Sequence, residues 1–193
     1  LPSQCLKNWR TARIKYTFSA FGLSVEHPED YRIWFNPNRP FYKDEGEFRL
    51  DKMTKVRDEE ISMTIGWWSE QERIHDFAGK FLSEVEKQFE KASKKGGYKA
   101  FKKEIVEFRG HDAAFVYSGA IGSSHAFKSI GKKVQLQTLQ MAWFCEESKR
   151  TIIASIFAPA SYVKEHYPEL KEMLYSIKCH ETAESGDMDK QRG

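Results

Sequence analysis

The chain of 193 residues is 40% hydrophobic and 14% aromatic, enough to fill one core and short of the size at which cores divide. Its apolar runs stop well short of the ~18 residues that a membrane-spanning helix needs, so no such helix is expected. A formal net charge of +3 is too small to mark a nucleic-acid binder, and local charge has to decide that point.

Residues 1–12 carry no periodic signal and read as an N-terminal extension. "IKYTFS" (14–19) then alternates Ile14, Tyr16 and Phe18 with polar residues, the pattern of a half-buried strand. Phe21, Leu23 and Val25 repeat it up to the turn "HPED" (27–30), where Pro28 fixes its own φ and holds His27 extended. Tyr31, Ile33 and Phe35 resume the alternation until "NPNRP" (36–40) ends it. "GEFRLD" (46–51) and "EEISMTIGWW" (59–68) read as two further strands, joined by a charged connection.

Ile74, Phe77, Ala78, Phe81, Leu82, Val85, Phe89 and Ala92 fall on one stripe, which predicts a helix over about 70–95. Ser69 and Glu72 match a capping box, and Gly96 and Gly97 supply the stop. Strands follow at 99–108, 113–121, 133–145 and 150–158, with "RGHD" and "EESK" as tight connections. The last is apolar on both faces, with Ile152, Ala154 and Ile156 on one and Ile153 and Phe157 on the other. It is expected inside the sheet with cover on both sides. Leu170, Met173, Leu174 and Ile177 mark a closing helix, with Pro168 in its first turn and a short turn at Tyr162–Tyr167 before it. Residues 181–193 read as a polar tail, leaving 13–180 as a single domain.

The connections between 99 and 158 are too short for parallel crossovers. The fold class is therefore α+β, one mostly antiparallel sheet with helices packed upon it. Three stretches then carry a resemblance: "FGLSVEHPEDYRI" (21–33), the helix after "IGWWSE" (65–70), and "YPELKEMLYSIK" (167–178). Over roughly 14–178 the chain resembles the PsbP-like family, whose fold is shared by the extrinsic PsbP subunit of oxygen-evolving photosystems and a Ran-binding nuclear-import factor. The resemblance implies an α/β/α sandwich without known enzymatic chemistry, in a family of binding or assembly factors. It carries over no functional residue.

The search for chemistry begins with "GAIGSSHAFKSIGKK" (119–133), which is similar to a phosphate loop. However, Lys132 is followed by Lys133 where such a loop needs Ser or Thr, and a strand follows rather than a helix. Ser123, Ser124 and His125 are adjacent in sequence, which is not triad geometry. The six histidines lack zinc spacing; His27 with Glu29 and Asp30, or His111 with Asp112, could hold a metal only weakly in a turn. Cys145, beside Trp143 and Phe144 in a strand, reads as a buried inert thiol, and Cys179 with His180 gives no better case.

Cys5, Cys145 and Cys179 make an odd count without C-x-x-C, which fits reduced cytosolic thiols. Gln4 stands where a lipoprotein signal wants a small residue. Because Leu1 rather than Met opens the chain, an export signal upstream stays open.

Between residues 91 and 110, seven Lys/Arg face only two Glu, the strongest local charge bias. Lys94, Lys95, Lys99, Lys102 and Lys103 are thus candidate partner contacts, although cations also complement a helix C-terminus. Trp67 and Trp68 alternate in direction, so one packs inward and the other, taken as Trp68, is partly exposed and a candidate anchor.

The reading is a non-enzymatic binding or assembly factor whose partner is another protein, with an acidic surface if the lysines meet it. No catalytic residue, cofactor or metal is expected. Two alternatives stand beside it. One is a metal-assisted or hydrolytic enzyme using the 119–133 loop, and the other an exported, envelope-associated accessory protein.

Overall fold

The structure, a computed structural model, describes residues 15–53, 61–72, 74–93, 98–122 and 134–180. The chain runs β1 (Lys15–Ala20), β2 (Leu23–Pro28), β3 (Tyr31–Trp34), β4 (Glu45–Lys52), β5 (Ser62–Ser69), α1 (Phe77–Ser93), β6 (Tyr98–Phe108), β7 (His111–Gly122), β8 (Val134–Cys145), β9 (Arg150–Pro159) and α2 (Ala160–Ser176). Seven strands form one sheet in the order β3-β4-β5-β9-β8-β7-β6, and β1 with β2 forms a separate hairpin. All pairings are antiparallel, as the short connections require. The turns Phe21–Gly22 and Arg109–Gly110 hold both residues at positive φ, the demand of a two-residue type I′ hairpin.

Alternation along β5 sets the two faces of the sheet. Met63, Ile65 and Trp67 are buried on one side, while Ser62, Thr64, Gly66 and Trp68 point to the other. Residues opposite one another across a ladder share a face. The inner face therefore gathers Leu50, Ile152, Ala154, Met141 and Trp143, all buried. Over it lie the β1–β2 hairpin, through Leu23 and Val25, and α2, through Val163, Leu170, Met173 and Leu174. Each large side chain so buried contributes about 1.5–3 kcal/mol, which makes this layer the core. Helix α1 packs on the opposite face across β6, β7 and β8, so the sheet lies between helices as expected.

Two expectations need correction. The first helix starts at Phe77, not near residue 70, because Ser69 is still in the β5 ladder opposite Arg150 and its N–H donates to the Asp44 carbonyl at 2.6 Å. The cap is Asp76 instead, whose Oδ1 accepts the Gly79 N–H at 3.3 Å. The closing helix starts at Ala160, so Pro168 stands mid-helix and no separate turn precedes it. Pro168 is on the exposed side, where the carbonyl it leaves unpaired meets water. Along β9, which is central, both faces are buried over most of their length, as expected: on the outer one Thr151 and Ser155 are buried and Ile153 half-buried, and Phe157 alone of these is exposed.

Candidate functional site

Helix α1 packs on β6, β7 and β8, and the outer side of β3, β4, β5 and β9 lies beyond those contacts, with Ser62, Thr151 and Ser155 buried on it. Trp34, Trp68 and Phe157 project from it with 43%, 38% and 41% of their surface exposed. Charged residues stand between them. Arg49 stacks on Trp34 at 4.6 Å from the ring centroid and donates to Asp51 Oδ2 at 2.7 Å. The Trp68 indole N–H donates to Glu70 Oε1 at 2.6 Å. Arg49 Nε and Asp51 Oδ1 are buried atoms without a hydrogen-bond partner, so this face holds polar capacity the described residues leave unused.

The structure separates the residues that sequence reasoning grouped as contacts. Trp68 is on β5, while Lys99, Lys102 and Lys103 are on β6 at the far edge, with β9, β8 and β7 between. Lys102 pairs with Glu104 at 2.6 Å, Lys103 pairs with Glu86 of α1, and Lys99 lies 5.8 Å from the Phe101 ring centroid. Two of these three cations are thus already matched by an acid. Lys94 and Lys95 lie outside the described residues, as do Cys5 and residues 123–133 of the loop. Trp67 is the inward member of its pair and donates to the carbonyls of Tyr42 and Lys43 at 3.0 and 3.3 Å.

A second constellation lies at one end of the inner face. His111 opens β7, Cys145 closes β8, and Cys179 and His180 follow α2. Their side chains converge. His180 Nδ1 is 3.3 Å from both Cys145 Sγ and Cys179 Sγ, and His111 Nε2 is 3.4 Å from Cys179 Sγ. Glu147 Oε2 stands 3.7 Å from His111 Nε2 and His180 Nδ1 and 3.5 Å from Cys145 Sγ.

The two thiols are driven apart in acidity. Hydrogen bonds from Cys179, then His111 and Ser148, hold Cys145 well below the usual thiol range against its burial. The bond to Cys145 and burial push Cys179 up. The bond to Cys145 raises His111, again against burial. A thiol lowered in this way beside an imidazole acts as a nucleophile where a substrate can reach it. Here both sulfurs are buried, which closes that route.

Spacing along the chain missed this cluster, but hairpin register contains it. Ala113 pairs with Trp143, so one step along the same face brings His111 opposite Cys145. The end of α2 is then held by backbone bonds between Ser24 and Lys178, at 3.0 and 2.8 Å, which set Cys179 over that end. Trp34 and Phe157 were missed as exposed aromatics. The signal for Trp34 is its parity, opposite to the core-facing Tyr31 and Ile33.

No protein-family model matches the sequence, and no curated protein sequence matches it. Solved structures do match, and the class they define with the observed topology is the PsbP-like fold. The cyanobacterial PsbP of Synechocystis sp. PCC 6803 superposes with a TM-score of 0.58 at 12% identity, over 86% of this chain and 92% of that one. The Ran-binding protein Mog1p of Saccharomyces cerevisiae gives 0.53 at 9%, over 87% and 96%. LpqN of Mycobacterium tuberculosis, involved in cell envelope biogenesis, gives 0.51 at 8%, over 86% and 92%. At these identities the likeness establishes the fold alone.

Proposed function

We propose that this chain is a non-catalytic accessory module that holds a protein partner against the open half of its sheet. The observation that carries this reading is the exposure of Trp34, Trp68 and Phe157 on one face, beyond the main contacts of α1. Aromatic side chains with little rotamer entropy, set among charged groups, are what interface centres are made of. The neighbours in fold agree in kind, since one binds the protein Ran and another serves cell envelope biogenesis. The β6 lysines support the reading less well, because Lys102 and Lys103 are spent on Glu104 and Glu86.

The test places a photo-crosslinking residue at position 68, 157 or 99 and captures partners in the native host. Crosslinks are expected at 68 and 157 and not at 99. Trp34→Ala should weaken capture at least tenfold, since central aromatic anchors contribute about 2 kcal/mol or more. Crosslinks confined to position 99, abolished by reversing Lys99, Lys102 and Lys103 to Glu, would move the contact to the β6 edge and end this proposal.

A further inference from the structure

The cluster under the end of α2 has a geometry that hydrogen bonding among its members does not require. The ligand-competent atoms of His111, Cys145, Cys179 and His180 all lie within 4.8 Å of one another. A tetrahedral zinc ion with bonds of about 2.3 Å to sulfur and 2.0–2.1 Å to nitrogen sets its sulfur and nitrogen ligands about 3.6 Å apart. The observed sulfur–nitrogen separations are 3.3 to 3.4 Å. These three sulfur–nitrogen pairs need spread by only a few tenths of an ångström to take an ion. We propose that His111, Cys145, Cys179 and His180 form a closed, structural site for a borderline-soft divalent cation, zinc by preference.

Donor chemistry and burial select this occupant. Two thiolates with two imidazoles are poor ligands for magnesium or calcium, which take oxygen, and suit tetrahedral zinc. Cys145 and Cys179 are 0% and 1% exposed, and His111 6%, which leaves no open position for substrate and marks the site as structural rather than catalytic. Charge closes as well, since two thiolates balance a divalent ion. Beside them, the Arg150 guanidinium, bonded to the Cys179 carbonyl at 3.1 Å, offsets the Glu147 carboxylate. Binding displaces whatever protons the thiols carry into solvent and involves no change of oxidation state. A disulfide between Cys145 and Cys179 is the rival occupant, but it gives no role to the two imidazole nitrogens aimed at the same point. The ion would pin the segment after α2 to the paired ends of β7 and β8, a staple that the backbone ladder does not supply.

The probe is cobalt(II), added to the full chain purified under reductant and freed of metal. One equivalent should give a thiolate-to-cobalt charge-transfer band in the near ultraviolet and the intense visible bands of a tetrahedral ion, and zinc should abolish both. Cys179→Ser and His111→Ala should each weaken binding by more than about 100-fold, beyond the 10–100-fold that losing an outer partner costs. Should those core variants fail to fold, His180→Ala serves, because its side chain is only partly buried. Folding is checked by circular dichroism, and Cys5→Ser should leave the spectrum unchanged. A weak octahedral spectrum without charge transfer, a spectrum indifferent to His180→Ala in folded protein, or a reductant-resistant Cys145–Cys179 disulfide would each overturn the assignment.

Discussion

Gly46 lies opposite Trp67 on the inner face, so close that a Cβ at this position would come within 2.2 Å of the ring. The ring has no room to yield. Its N–H is held by two carbonyls, and Phe41 and Phe48 pack against it with centroids 5.7 and 6.1 Å away. Gly46→Ala should therefore act as overpacking, costing about 1–3 kcal/mol in urea denaturation. Gly66 is its control, one strand over but on the open face, where a Cβ meets nothing nearer than 3.8 Å. Gly66→Ala should be neutral, or stabilise by up to about 1 kcal/mol through the unfolded chain. If both substitutions cost the same, close approach of the Trp67 ring is not what position 46 is selected for.

Arg150 opens β9 and is buried, yet its partners are not in the sheet. Its guanidinium donates to the carbonyls of Phe21 at 2.9 Å, Lys43 at 3.4 Å and Cys179 at 3.1 Å, joining the β1–β2 turn, the loop before β4 and the segment after α2. A lysine ammonium gathers its donors on one nitrogen, whereas Arg150 spreads these bonds over the two terminal nitrogens of its guanidinium. Arg150→Lys should cost about 2–3 kcal/mol and speed hydrogen exchange at Ser24 and Lys178, whose backbone bridge it supports. A loss of stability without faster exchange there would make Arg150 a packing residue only.

The same contrast explains what the sequence disclosed. Strands from β1 to β9 are legible because alternation reports burial residue by residue, and the hairpin turns confirm the pairing. The helix starts are not, since Ser69 can serve a cap or a ladder, and pairing with Arg150 across the sheet decides between them. The Cys/His cluster shows the same limit more sharply. It is written in register between strands and in a helix end pinned to β2, and neither appears in spacing along the chain.

At the scale of the molecule, the two helices are bound unequally. Helix α2 buries Val163, Leu170, Met173 and Leu174 over the centre of the sheet. Among its described side chains, helix α1 fully buries only Ala78 and Val85, while Phe77, Phe81, Leu82 and Phe89 of its predicted stripe remain half-buried. Because the main contacts of α1 fall on β6 to β8, the outer face divides into the half beneath α1 and the half carrying Trp34, Trp68 and Phe157, and the position of α1 sets the border of the proposed partner surface. Several large side chains separate the two helices in burial, at about 1.5–3 kcal/mol for each one fully buried. Local opening should follow that difference. In native-state hydrogen exchange, the amides of α1 should exchange at least about tenfold faster than those of α2, which should match the central strands β5, β9 and β8. Exchange from α1 as slow as from α2 would mean that the outer face is held by more than its contacts show, and that the two halves of that face open together.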